Sequence, residues 1–280
     1  MLKTKENRVL KVIIYVVCIV LAILSILPFW IMIVNATRST TQIQQHAISL
    51  IPSTYALKNF NVLMDKSFEP LQGFLNSLTI STCATACAVY FSTLTAYALV
   101  IYKWKWRDAF FSFIMAIMMI PAQVSIIGFM NFMMKINLYD SYWPLIIPAI
   151  AAPSTVYFMK QYMTSALSVE IIEAARIDGS GEFATFNKIA LPLMKPAMAT
   201  QAIFAFIASW NNLYTPTMMI TNNRKYTLPM FVQSLKSDVI RIDYGFVYVG
   251  LTLTVFPLLV VYFAFSKYII AGVALGGVKE

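Results

Sequence analysis

Six stretches of this chain contain no Asp, Glu, Lys or Arg and are both long and apolar: 12–37, 71–102, 109–134, 141–159, 196–223 and 244–266. Each supplies about the ~20 residues that a helix needs to cross the hydrocarbon core of a bilayer. There every backbone N–H and C=O must find its partner within the segment, which leaves helices as the economical solution. The pattern therefore predicts an all-α integral membrane protein with six transmembrane helices. Composition agrees, because only 12% of the 280 residues are charged and 59% are hydrophobic, where a soluble domain carries about 25% charge.

A seventh charge-free stretch, 39–57, is rich in Gln, Ser and Thr and broken by Pro52, and reads as a loop. The 71–102 stretch exceeds one straight crossing, so its start lies at the interface or the helix tilts. The first stretch follows a basic start but is longer than the h-region of a signal peptide, and no small-residue cleavage site closes it. It reads as a retained helix. The organisation is then a cytoplasmic tail over 1–11, a first transmembrane helix over 12–37, an extracytoplasmic loop over 38–70, a core domain with five transmembrane helices over 71–267, and a cytoplasmic tail over 268–280.

Orientation follows from Lys and Arg, which favour the cytoplasmic side. With the N-terminus inside, thirteen of the 21 cations fall in inner segments and eight in longer outer loops. The link Tyr102 to Asp108, with two Trp and three cations in seven residues, is the clearest single sign of an inner turn. Both termini are expected in the cytoplasm.

No span contains an ionisable side chain in its interior. Ion-coupled carriers and proton relays need such a group at membrane depth, so their absence argues against that class. A membrane enzyme would need a nucleophile with its base, or a metal set. The single His46 lies in a polar outer loop, and Cys18, Cys83 and Cys87 read as small packing residues. The glycine-rich end, 272–280, lacks the G-K-[ST] of a phosphate loop. Polar groups in apolar helices either pair with each other or line a watery path. Asn76, Gln123, Asn211 and Asn212, with Tyr97, Trp210 and Tyr214, are the candidates for such a path. Interhelical hydrogen bonding, worth about 0.6–2 kcal/mol per contact, remains open for each.

The inner loop over 168–197 reads as two short helices with a sharp turn between them. Ser168 is placed to cap the first, and Glu170 in the first turn suits the positive end of its dipole. Asp178-Gly179 ends it, Gly179 supplying a left-handed C′ residue. A second helix from about Glu182 sets Phe183, Phe186 and Ile189 on one apolar stripe, Pro192 breaks it, and Pro196 suits the first turn of the fifth span. Such an element is expected to dock on a partner or beneath its own membrane domain.

The run Glu173-Ala174-Ala175, Asp178-Gly179, Phe186, Ile189, Leu191-Pro192 and Pro196 resembles the EAA loop of ABC-importer permeases. Further positions narrow the likeness: Asn59-Phe60, Asn76-Ser77-Leu78, Ala96-Tyr97-Ala98-Leu99, Ile120-Pro121, Trp210-Asn211 with Pro216, Thr227-Leu228-Pro229 and Gly276-Gly277-Val278-Lys279. Over most of 50–280 the chain is similar to the smaller, MalG-like permease of carbohydrate ABC importers, departing from it at Glu280, where the family often has Gly.

The resemblance implies a type I ABC importer permease fold in the inner (cytoplasmic) membrane. It also implies a heterodimer with a MalF-like permease, two cytoplasmic ATPase subunits and an extracytoplasmic sugar-binding protein. ATP and Mg would sit on the ATPase, and none on this chain, which would not itself be an enzyme. Residues 168–197 would be the ATPase-coupling loop, with Glu173 facing a cation of the partner or pairing with Arg176. The loop over 221–244, carrying Arg224, Lys225, Tyr226, Lys236 and Arg241, is expected outside, facing the binding protein. A path without fixed charge suits neutral sugars better than glycerol phosphate or polyamines. A self-sufficient facilitator would need no coupling loop.

Overall fold

The computed structural model describes residues 8–65, 70–235 and 243–277. Among them helices are the only regular secondary structure. In chain order these are α1 (Arg8–Ala36), α2 (Thr40–Gln45), α3 (Ala56–Asp65), α4 (Pro70–Ile101), α5 (Arg107–Ile117), α6 (Ala122–Lys135), α7 (Trp143–Ile146), α8 (Pro153–Ala166) and α9 (Val169–Ile177). Then come α10 (Glu182–Thr185), α11 (Leu191–Leu193), α12 (Lys195–Trp210), α13 (Tyr214–Met219), α14 (Leu228–Leu235) and α15 (Tyr244–Gly277). The tail residues 1–7 and 278–280, and Lys236 and Arg241 of the expected outer loop, lie outside the described residues.

Two of the six apolar stretches form single long spans among the described residues, over Leu10–Ala36 and Pro70–Ile101. The third, fourth and fifth are interrupted where proline or paired amides intervene, whereas the sixth lies within the single helix α15, which runs through Pro257. Pro121 stands at the N-cap of α6 and separates it from α5, because its ring and missing N–H cannot continue the helix. Pro144, Pro148 and Pro153 divide the fourth stretch into α7, a 3-10 turn over Ile147–Ile150, and α8. Asn211-Asn212 ends α12 before α13 begins. The last helix runs on to Gly277, past the expected end of the span at Lys267. A single Lys ends an apolar stretch but not a helix.

The described chain divides into two compact units, one of Met1–Phe68 with Val232–Val255 and the other of Glu69–Phe231 with Phe256–Glu280. In the first, α1 turns its apolar side chains outward from Leu10 to Ile33, as befits a helix that is hydrophobic all round. The loop after it is more ordered than its composition suggests. Ser39 and Gln42 make a reciprocal capping box on α2. Buried Arg38 donates to the Asn35 side chain at 3.0 Å and to the carbonyls of His46 and Gln42 at 2.6 and 2.9 Å. Asn59 donates to the carbonyls of Ala36 and Arg38 at 2.8 and 2.9 Å.

In the second unit α4 is central, with α8 and α12 packed along it. Small residues on α4 (Ser77, Ser81, Ala84, Ala88, Ser92, Ala96) are buried and allow close approach. One core cluster gathers Tyr97, Met159, Met163, Ile172, Phe186 and Met194. A separate one joins Ile126, Met133, Met219, Ile220 and Met230.

Candidate functional site

Residues 168–197 fold as a helical hairpin. Ser168 holds the N-cap position of α9 in extended conformation, but its hydroxyl donates to the Glu170 carboxylate rather than receiving a backbone N–H. At the other end the Gly179 amide donates to Arg176 and the Ser180 amide to Ala175, both at 3.0 Å. That pairing is the Schellman arrangement, which requires a left-handed residue at C′. Gly179 provides it at φ +81°.

The second arm starts as α10, widens into a π turn over Phe186–Ala190 and finishes as α11. Pro192 does not break it, in contrast to the reading from sequence. The π turn ends immediately before α11, whose first turn holds Pro192, and this register relieves the clash a proline ring makes with the preceding turn. The break comes at Met194, where the arm and α12 meet at 81°.

The arm does not carry one apolar stripe facing a single way. Phe186 is 1% exposed, its ring 5.3 Å from Tyr97 and 5.8 Å from Tyr90 on α4. Ile189 and Leu191 pack on the same cluster, which includes Ile172 of α9. Phe183 points the other way, 69% exposed, and Ile177 is 87% exposed. The π turn begins at Phe186 and shifts the angular register of the residues that follow, Ile189 among them, while Phe183 stands in the turn before it. Glu173, Ala174, Asp178, Gly179 and Pro192 are also exposed. The hairpin is thus fixed to its own membrane domain by one side and presents Ile177 and Phe183, flanking the turn, on the other.

An ionic pin closes the hairpin. Arg176 binds Glu182 in a bidentate geometry at 2.7 and 3.1 Å. The Tyr102 hydroxyl donates to the same carboxylate, and the guanidinium lies 5.5 Å from the Tyr102 ring. Arg176 foremost, and then the Tyr102 hydroxyl, hold the Glu182 carboxyl below its ordinary range. Glu182 in turn raises Arg176. Helical spacing offers Glu173 as a partner for Arg176; the turn brings Glu182 to it instead. A pair across a six-residue turn has no periodic signature, so nothing in the sequence announced Glu182 or Tyr102.

The seven polar and aromatic path candidates separate by environment. Asn76 is 3% exposed. It donates to the carbonyls of Arg224 and Tyr226 at 2.8 and 2.9 Å and accepts from Gln72 at 2.8 Å. Trp210 is 1% exposed, edge-on to Phe74 and stacked on Phe206. Tyr97 lies in the core under the hairpin. These three are committed to packing within the unit. Gln123, Asn211 and Tyr214 are exposed, and half-buried Asn212 accepts from the Thr215 amide at 3.2 Å.

Asn76 is one of three tethers on the segment after α13. Ser77 accepts from the Leu228 amide at 2.8 Å. Asp140, itself at φ +53°, accepts from the amides of Thr221 and Asn222 at 2.8 and 3.0 Å and from Lys225 at 3.0 Å. Burial pushes the Asp140 carboxyl up, but the Asn222 and Thr221 amides and Lys225 outweigh it and hold it at about 2. Lys225 is therefore engaged within the chain.

The family model described as "Binding-protein-dependent transport system inner membrane component" matches residues 88–274. An arabinooligosaccharides transport system permease protein, AraQ, of Halalkalibacterium halodurans is 33% identical over 280 residues, covering 99% of this chain and all of that protein. An sn-glycerol-3-phosphate transport system permease protein, UgpE, of Yersinia enterocolitica is 27% identical, covering 96% and 97%. A crystal structure of a bacterial ABC transporter involved in the import of the acidic polysaccharide alginate contains a chain that superposes with a TM-score of 0.79 at 21% identity, covering 96% of this chain and 99% of that one.

Proposed function

From the premise that this chain belongs to the family of binding-protein-dependent transport system inner membrane components, we propose that it is the MalG-like permease subunit of an ATP-driven importer of neutral sugars or oligosaccharides. The six spans are then α1, α4, α5–α6, α7–α8, α12–α13 and α15, with both termini in the cytoplasm. A second permease completes the path, two ATPase subunits dock inside, and a sugar-binding protein delivers substrate outside. This chain supplies no nucleotide chemistry of its own.

The observation that carries this reading is the two-sided hairpin. Phe186 locks it to α4, so a displacement of the hairpin is transmitted to the spans rather than absorbed in a loose loop. Ile177 and Phe183 are left as an apolar surface on an otherwise polar turn, the chemistry of a protein contact. ATP-driven closure of the ATPase pair would move this surface, and α4, α8 and α12 with it. Gln123, Asn211, Asn212 and Tyr214 offer amides and an aromatic face where this chain meets the second permease, suited to sugar hydroxyls. The name of one relative favours glycerol phosphate as a second reading, but the charge-free stretches within the spans offer no Lys or Arg to balance a phosphate.

The test is uptake into proteoliposomes holding both permeases and the ATPase, with the binding protein outside. Arabino-, malto- and galacto-oligosaccharides are compared with glycerol phosphate. Sugar uptake that needs enclosed ATP is expected. Uptake of glycerol phosphate alone would overturn the substrate assignment, and uptake by this chain without ATPase would overturn the importer reading.

A further inference from the structure

The link between α4 and α5 is not used by the coupling hairpin or by the path. It holds the densest cationic cluster of the described chain. Lys103, Trp104, Lys105, Arg107 and Asp108 line an open cavity of about 390 Å³. Arg107 pairs with Asp108 at 3.2 Å, so three cations against one carboxylate leave a net charge of +2 facing the cavity. The cavity also opens at the first turn of the eleven-residue α5, whose N-cap, Trp106, provides no side-chain cap. Its N–H groups add positive potential there.

The surroundings of the cavity are aromatic and apolar. Trp106 is 65% exposed and Trp104 41% exposed. Lys105 lies over the Trp106 ring at 5.7 Å, and Trp104 packs on Phe110 at 5.8 Å. From Phe110 the exposed side chains continue along α5 at helical spacing, through Phe113 to Ile117, while Ile114 between them is buried. A cationic cup bordered by exposed indoles thus opens onto an apolar strip along one helix face.

We propose that this cup and strip bind one anionic phospholipid, the phosphodiester headgroup among Lys103, Lys105 and Arg107 and an acyl chain along Phe110, Phe113 and Ile117. Exposed indoles are the side chains that settle at headgroup depth, and clustered cations beside a span hold anionic headgroups. A free phosphate would use the cations and leave the strip uncovered. The inference rests on the membrane topology proposed above, which places this link at the cytoplasmic leaflet. It also has a consequence for coupling, because Tyr102, next to Lys103, holds Glu182 of the hairpin.

The test uses the detergent-purified permease–ATPase complex, stripped of lipid and offered phosphatidylglycerol or phosphatidylcholine of matched acyl chains. Retained lipid is counted by native mass spectrometry. The wild-type complex is expected to keep phosphatidylglycerol selectively. The triple variant Lys103→Gln, Lys105→Gln, Arg107→Gln should retain roughly tenfold less or lower still, given what each surface cation contributes to anionic-lipid attraction. Lys103→Arg with Lys105→Arg should keep it, which separates charge from misfolding.

Equal retention by the glutamine variant, equal retention of both lipids, or displacement by millimolar inorganic phosphate would each overturn the lipid site. The readout needs no transport. Selective retention in a complex that imports no sugar would leave the lipid site standing and refute the importer reading.

Discussion

Gly179 is the residue whose replacement separates backbone geometry from partner contact. It sits at φ +81°, and a Cβ added there would meet no atom within 4 Å. Within this chain the cost of a side chain is therefore conformational, about 1–2 kcal/mol for an L-residue held left-handed. That corresponds to about a 5–30-fold loss of the turn that sets α9 against α10. Gly179→Val should suffer this loss fully, because a β-branched residue tolerates that region least. Gly179→Asn should suffer little of it, since Asn enters the left-handed region more readily than other residues. The assay is retention of the ATPase on the affinity-purified permease pair, followed by ATP-driven uptake. Loss with Val and rescue with Asn is expected if the backbone is what matters. Equal loss with both would mean that a docked surface lies too close for any side chain. Full retention and transport by Gly179→Val would refute the assignment of this turn to coupling.

Three further outcomes follow from the same geometry. Phe186→Ala removes a ring that is 1% exposed and should weaken hairpin docking on α4 by about 3–5 kcal/mol; trypsin cleavage after Arg176 or Lys188 would rise sharply, and an unchanged digest would contradict the anchoring role. Glu182→Gln removes the shared acceptor of Arg176 and Tyr102, and should raise hydrogen exchange in the 176–182 turn while leaving membrane insertion unchanged. Asp140 titrates near 2 rather than at its ordinary 3.8, so a lowered folded-state value makes its clasp stabilising above the ordinary value. The contribution fades as pH falls from about 4 through about 2. Amide protection at Thr221 and Asn222 should persist at pH 5 and decline across that window, and in Asp140→Asn, which keeps an acceptor oxygen but no charge, it should be weaker and independent of pH.

The membrane character was legible because hydrophobic runs are a property of local composition. The hairpin was legible too, since Gly179 and the apolar positions act within one or two turns. What escaped was whatever depends on register or on distant partners. The π turn over Phe186–Ala190 has no signature in residue types, and spacing puts Phe183 and Phe186 on one face although only Phe186 finds a packing site, among residues of α4 and α8. Asn76 looked like a path residue because an amide in an apolar helix signals either a path or a partner. Its partners, the carbonyls of Arg224 and Tyr226, lie about 150 residues away. Glu182 and Tyr102 meet only once α4 and the hairpin have packed. The single-helix reading of the third to fifth stretches failed for a local reason instead, since charge-free length was weighed above Pro121, Pro148 and the Asn211-Asn212 pair.

Photo-crosslinking would decide whether the outward side of the hairpin is the ATPase contact proposed above. A photoreactive phenylalanine analogue would be placed at Ile177 or Phe183, with Phe113 on α5 as an exposed control, in the complex of both permeases and the ATPase. Covalent adducts with the ATPase are expected from 177 and 183 and none from 113. No adduct from either hairpin position, or an equal yield from 113, would contradict that contact.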